Sequence, residues 1–484
     1  MKFRITLPIL ALGSAVLVAP SCVPRQDAPA QQPQQQQQQQ APAVPEPEPL
    51  GPPLQPPAKG AFHTGEYRNL FEQLGNPLDE IQAKVDAAYQ HLFHGDPEQE
   101  AVMFAAGEND SGALAYIKDV ANDDIRSEGM SYGMMVAVQM DQKQDFDALW
   151  NWARTYMYLD DPSHPVYGYF SWQMRPDGTA IDEMPAPDGE EYFAMALLFA
   201  SHRWGNGKGI YDYGAEAQRL LDAMKNRKEI TGIVNGKRKT TGVALFNPEH
   251  KMVRFTPDTD NFRTNGDHTD PSYHLPAFYD LWALWGPEAD RKFWAEAATA
   301  SREFFIKAAH PATALTPDYA NFDGTPKAAS WDAHTADFRY DAWRTAMNWS
   351  VDYAWWAKDP RQIALSNRLL EFFARQGPNY KATFTLDGKP TAEHDSLGLV
   401  ATNAVAALAA THPRAWHFVD TLYKWRAPKG KWRYYDGLLY MMAMLHTSGQ
   451  FRIHRPDSAT PPESSASPAA FLPPPLSATR LVSR

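Results

Sequence analysis

Twelve stretches of this chain repeat apolar residues at spacings of three and four, and that periodicity limits the available folds more than any other feature. In 78–93, Ile81, Val85, Ala88, Tyr89 and Leu92 fall on one helical face. Comparable stretches recur near 128–141, 144–158, 189–203, 214–225, 273–285, 288–308, 342–357, 360–376, 398–411, 414–424 and 436–446. Loops rich in Gly, Pro and Asp, such as Arg175-Pro176-Asp177-Gly178-Thr179, separate them, and only short segments such as Gly242 to Phe246 read as strands. Twelve antiparallel helices can close as six inner and six outer, burying apolar faces between the layers. The expectation is an all-α chain forming a closed helical barrel with a cleft at its rim.

The helical stretches occupy one domain, 60–455. Ahead of it, 1–22 read as an export signal: Lys2 and Arg4 supply positive charge, and the apolar run Leu7 to Val18 is too short for a confident membrane span. Cys22 follows Ala19-Pro20-Ser21, where a lipidated N-terminal Cys would sit, but Pro20 departs from a lipobox. A membrane tether through Cys22 therefore stays open against plain secretion or a periplasmic location. Residues 23–59, with an unbroken Gln34 to Gln40 run, read as a disordered linker, and 456–484 as a disordered tail.

With 46 Lys and Arg against 57 Asp and Glu, the chain carries a formal charge of -11, which argues against nucleic acid as a partner. A single cysteine excludes an internal disulfide framework and a Cys-based metal site. His268 and His274 read as structural histidines, and neither a metal nor a cofactor is expected. Fifteen Trp, 21 Tyr and 24 Phe exceed what the core requires, and exposed rings suit the flat faces of sugars. A monomer is expected.

Three helix starts present carboxyl groups. Ser127, a plausible N-cap, puts Glu128 in the first turn of one helix. Gly129 and Gly133 in that helix each cost about 1 kcal/mol relative to Ala, so a ligand or a crossing helix must approach closely. Asp188, in Ala186-Pro187-Asp188-Gly189-Glu190-Glu191, reads by itself as an N-cap, and Asp341 opens the aromatic-rich Ala342-Trp343-Arg344 stretch. Two carboxyl groups flanking a sugar are the minimal apparatus for glycoside hydrolysis.

The three segments, in this order, resemble glycoside hydrolase family 8 across most of 62–453. The Asp188 segment follows the family signature with departures at Pro187, Glu190 and Phe193. Together with Arg126 to Gly133, Asp270-Pro271-Ser272-Tyr273-His274-Leu275-Pro276, Ala401-Thr402-Asn403-Ala404 and Arg433-Tyr434-Tyr435-Asp436, it resembles the reducing-end xylose-releasing exo-oligoxylanases and related xylanases. The resemblance implies an (α/α)6 barrel and inverting hydrolysis of β-1,4-xylosidic bonds in xylan or xylo-oligosaccharides. It makes Glu128 the general acid, Asp341 the general base and Asp188 the acid beside the sugar at subsite -1. Trp172, Tyr273, Arg126, Tyr434, Tyr435 and Arg344 become candidate substrate-binding residues. Exo-acting members carry a Leu-His-Pro loop that blocks the cleft beyond the reducing end. Here the corresponding stretch is Ala392-Glu393-His394-Asp395-Ser396-Leu397, which favours internal cutting slightly. The alternatives are an endo-β-1,4-glucanase of the same family and a non-catalytic glycan-binding lipoprotein.

Overall fold

Each of the twelve stretches forms a helix in the computed structural model, which describes residues 50–456. The export signal at 1–22, the linker as far as 49 and nearly all of the tail lie outside the described residues. The last part of the expected linker is packed: Leu54 is buried and Pro52 O accepts the Trp416 indole N–H at 2.6 Å. The packed body therefore begins before residue 60.

The barrel helices are α1 (Leu78–His94), α2 (Ser127–Gln139), α3 (Lys143–Trp152), α4 (Pro187–Trp204), α5 (Tyr213–Asn226), α6 (Pro276–Trp285), α7 (Arg291–Ala308), α8 (Ala342–Trp356), α9 (Arg361–Gln376), α10 (Leu397–Ala406), α11 (Ala415–Lys424) and α12 (Arg433–Thr447); shorter helices at Ala61–Thr64, Leu70–Gln73 and Thr259–Asn265 lie outside the two rings. Odd-numbered helices keep one polar face, whereas even-numbered ones are buried nearly all round, as an inner layer demands. In α2 every residue except Glu128 is buried. The inner ring closes in sequence through packing of α2 on α4, α6 on α8, α8 on α10, α10 on α12 and α12 on α2. Between α4 and α6 the joint is made by the rings of Tyr192 and Phe278, 5.2 Å apart, and by the Tyr279 hydroxyl donating to Glu191 Oε1 at 2.5 Å. Each outer helix packs on an inner neighbour, which completes an (α/α)6 barrel.

Because every inner helix is followed by an antiparallel outer one, the N-termini of all six inner helices emerge at the same rim. Two glycines set how closely the walls approach there. A Cβ on Gly129 would lie 2.5 Å from Tyr434 Cε2, so α12 is the neighbour whose approach that glycine permits. A Cβ on Gly133 would lie 2.6 Å from Ile117 Cγ1, within the hairpin of β1 (Met103–Asn109) and β2 (Gly112–Ile117).

Strands otherwise decorate the rim. The pairing of β3 (Ile125–Arg126), β4 (Gln173–Met174) and β5 (Ala180–Asp182) sets Trp172 beside the start of α2, where Ser127 N donates to Trp172 O at 3.0 Å. A longer hairpin joins β6 (Ile230–Val234) to β7 (Arg238–Gly242). The strand expected at Gly242 to Phe246 is not continuous: Gly242 ends β7, and Phe246 begins a separate two-residue strand. The chain turns between them because Val243 N donates to Pro257 O and Leu245 O accepts from Arg254 N.

Candidate active site

Three inner-helix starts deliver the predicted acids to one place. Glu128 lies in the first turn of α2, Asp188 follows Pro187 inside α4, and Asp341 directly precedes α8. Neither expected cap forms. Ser127 Oγ is buried without a hydrogen-bond partner, and α2 has no side-chain cap. Asp188 lies two positions past the N-cap, Ala186, where its Oδ1 accepts the Gly189 N–H at 2.9 Å. Its other oxygen serves a contact between helices.

That contact is Arg344, projecting from the first turn of α8. Its Nη1 donates to Asp188 Oδ2 at 2.7 Å and Glu128 Oε2 at 3.0 Å, and its Nη2 donates to Asp341 Oδ1 at 2.8 Å. The Tyr132 hydroxyl also accepts from Nη1. The terminal nitrogens of a planar guanidinium stand about 2.3 Å apart, so these contacts hold Glu128 Oε2 and Asp341 Oδ1 within about 8 Å of each other. Arg344, a candidate substrate-binding residue from the sequence, is 2 % exposed, lines the cleft between the acids and serves as their common counter-ion.

One guanidinium cannot neutralise three carboxylates, and burial makes the surplus charge costly. Burial pushes the Glu128 carboxyl up to about 7 against the pull of Arg344, and the charges of Asp188 and Asp341 add to the rise. Burial raises Asp188 as well, again opposed by Arg344. Glu128 Oε1 accepts the Tyr434 hydroxyl at 3.1 Å, so both oxygens of this acid are held. The Asp341 side chain is 34 % exposed and faces open space.

Two cavities, of about 700 Å³ and about 460 Å³, meet at Arg126, Glu128 and Asp341. The smaller contains Asp188, Trp172, Tyr273 and Arg344; the larger contains Tyr434 and Tyr435. All nine predicted site residues thus line one continuous cleft with the acid pair at its middle. Arg126 is oriented by Asp124 at 3.1 Å and Asp119 at 3.0 Å, with its guanidinium 5.9 Å from the Trp172 ring and 5.8 Å from that of Tyr434. The Tyr435 hydroxyl donates to Tyr340 O at 2.9 Å, which fixes its ring on the opposite wall.

The sequence reading missed further contributors. Trp331 and Trp432, 52 % and 68 % exposed, stand one in each cavity. Their local sequence carries no signal beyond exposure-prone aromatic character. Asp270 and Asp318 are buried near Asp341, and burial together with the Asp341 charge raises both carboxyls well above the usual range. Asp270 stands inside a motif already singled out, so its position was available; Asp318 has no motif around it.

His274 and His268 are embedded rather than presented to the cleft. His274 stacks on Phe304, its Nδ1 bonded to Ser301 Oγ at 2.8 Å and Nε2 to Thr269 Oγ1 at 3.0 Å, and burial pushes its pKa down to about 3. His268 Nδ1 is bonded to Gly266 O at 2.9 Å. Among the described residues, no group of three or more His, Cys, Asp or Glu side chains is arranged to hold a metal ion.

An (α/α)6 barrel with opposed carboxyls in an aromatic-lined cleft defines a glycoside hydrolase. The chain belongs to glycosyl hydrolases family 8, whose model matches residues 116–449. It is 44% identical over 398 residues to a reducing-end xylose-releasing exo-oligoxylanase of Paenibacillus barcinonensis, covering 82% of this chain and 99% of the relative. Identity to a reducing-end xylose-releasing exo-oligoxylanase of Halalkalibacterium halodurans is 42% over 403 residues, covering 82% of this chain and 97% of the relative. A family 8 xylobiose complex from Teredinibacter turnerae superposes with a TM-score of 0.79 at 57% identity, covering 81% of this chain and 99% of the other.

Proposed function

We propose that this family member hydrolyses β-1,4-xylosidic bonds of xylan and xylo-oligosaccharides with inversion, cutting preferentially inside the chain. The observation that supports the reading is the meeting of the two cavities at Glu128, whose carboxyl burial raises to about 7, and Asp341, whose side chain faces the open cleft. Glu128 is the general acid: burial keeps its proton near neutral pH for delivery to the departing oxygen. Asp341 is the general base, accepting a proton from the water that attacks the anomeric carbon from the opposite face. Asp188, beside Trp172 and Tyr273, holds the sugar at subsite -1.

Xylan as the substrate is supported by the exo-oligoxylanase relatives and by a Teredinibacter turnerae structure described as a catalytic mutant xylohexaose complex of a xylanase, 56% identical to this chain. An endoglucanase of Ruminiclostridium josui is only 28% identical over 338 residues. Internal cutting is supported by the larger cavity, which extends past the acid pair away from Asp188. The 392–397 loop contributes His394 and Asp395 to its wall, and Trp432 stands exposed beside it.

A time course on xylohexaose and its reduced-end derivative, followed by proton NMR, tests both parts. An α-anomer as first product and cleavage of the reduced substrate at internal bonds are expected. A β-anomer first product sinks the inverting mechanism; release of xylose alone from unreduced ends sinks internal cutting. Export through the 1–22 signal, with or without lipid on Cys22, is part of the proposal, and mass spectrometry of the mature N-terminus checks it.

A further inference from the structure

An acidic residue immediately ahead of a helix ordinarily turns inward and accepts from the first free amides. Asp341 stands directly before α8, but its backbone is already helical (φ -68°, ψ -37°) and its side chain makes no capping bond. Its carboxylate extends to Arg344 Nη2 and the cleft instead. The orphaned amide at the start of α8, Ala342 N, donates to Asp318 Oδ1 at 3.2 Å. Asp318 is buried and comes from a separate segment, Asp318 to Ala320, which is pinned on two sides. Asp318 N donates to Asp337 O at 2.9 Å and Tyr319 N to Thr335 O at 2.8 Å, tying it to the lead-in of α8. Ala320 and Thr269 exchange backbone bonds of 2.9 and 3.0 Å, tying it to the stretch before Tyr273.

We propose that Asp318 is a positioning residue for the general base: by capping α8 from outside, it leaves the Asp341 carboxylate free to face water and the sugar. The proposal rests on Asp341 acting as base. On this proposal, removing the Asp318 oxygen leaves the Ala342 amide without its acceptor, and the Asp341 carboxyl, one residue ahead, turns toward it and away from the cleft. What the cap needs is an acceptor oxygen rather than a charge, and the raised Asp318 carboxyl agrees with that.

The test is steady-state kinetics on xylohexaose with thermal unfolding run in parallel. Asp318→Ala is expected to lower kcat by about tenfold or more with KM changed by less than about threefold, while Asp318→Asn, which keeps an acceptor, stays within about threefold of the parent in both. Because the effect acts through the base, Asp318→Ala/Asp341→Asn is expected to be no slower than Asp341→Asn alone. Asp212→Ala serves as a control for losing a cap: its side chain accepts from Ala215 N at 3.2 Å at the start of outer helix α5, so stability should fall with kcat unchanged. A smaller kcat loss in Asp318→Ala, or an Asp318→Asn as impaired as Asp318→Ala, overturns the proposal. Should Asp318→Ala not fold, Asp318→Asn decides alone: within about threefold of parent kcat supports the proposal, and a larger loss overturns it. Full activity in Asp341→Asn would instead overturn the base assignment, a distinct failure.

Discussion

Glu128 shows at the scale of one residue how catalytic power is set against stability. Its carboxyl is raised from its ordinary value to about 7, so between those pH values the folded chain binds the proton and the unfolded chain does not. Stability from this group therefore falls as pH climbs through that window, and above it the folded state carries the full penalty. Replacing Glu128 with Gln removes the penalty. Glu128→Gln is expected to unfold at a higher temperature than the parent at about pH 8, with the gap closing by about pH 4; calorimetry at the two pH values reads it, and an equal or lower midpoint at the higher pH counts against a raised carboxyl. If Glu128 is the general acid, as proposed, it sets the alkaline limb of kcat/KM, which should decline as pH rises through about 7. Asp341→Asn removes the proposed base, so kcat should fall by about a hundredfold or more with little change in the unfolding midpoint. Unchanged turnover would take Asp341 out of the mechanism.

At the scale of elements, α2 illustrates which features the sequence exposes. Its two glycines announced a close neighbour without naming it, and the neighbours are Tyr434 and Ile117. Gly129→Ala gains about 1 kcal/mol of helix propensity, but its Cβ, 2.5 Å from Tyr434 Cε2, must displace a buried ring whose hydroxyl donates to Glu128. Overpacking of that kind costs about 1 to 3 kcal/mol, so the net expected effect is a lower unfolding midpoint together with reduced kcat. A stabilised, fully active variant would mean that Tyr434 yields freely. The twelve helices were legible because each stretch satisfies a period that depends on nearby residues alone. The β1/β2 hairpin was not: in Met103 to Asn109 a glycine and exposed polar residues break the alternation of period two. The capping expectations for Ser127 and Asp188 failed for the converse reason. Asp188 reads locally as a cap, but it lies inside α4, and Arg344, arriving from α8 far along the chain, takes its second oxygen. Asp318 was invisible on the same ground, since its partner amide lies 24 positions away. Family motifs supplied what local rules could not, by marking the residues that the closed ring brings together.

At the scale of the whole molecule, the barrel fixes the acid pair and the rim loops decide which bonds reach it. The 392–396 loop is anchored at both ends by groups that substitution inside it leaves intact. Ala382 N donates to His394 O at 2.9 Å, and Asp436 Oδ1 accepts from Ser396 Oγ at 2.6 Å and from Gly398 N at 3.0 Å. Among the described residues, the Asp395 amide donates to no backbone carbonyl, so proline there removes no such bond. Glu393→Leu combined with Asp395→Pro rebuilds the Leu-His-Pro triplet of the exo-acting members around the existing His394. With the anchors preserved, the restored triplet should stiffen across the larger cavity and close the cleft beyond the first sugar past the acids. The variant is then expected to release xylose from the reducing end of xylohexaose and to lose activity on the reduced-end substrate, whereas the parent is expected to cut internal bonds in both. Chromatography of early products distinguishes these outcomes. An unchanged internal pattern would move control of the cut from this loop to the aromatic walls, with Trp432 the next residue to replace.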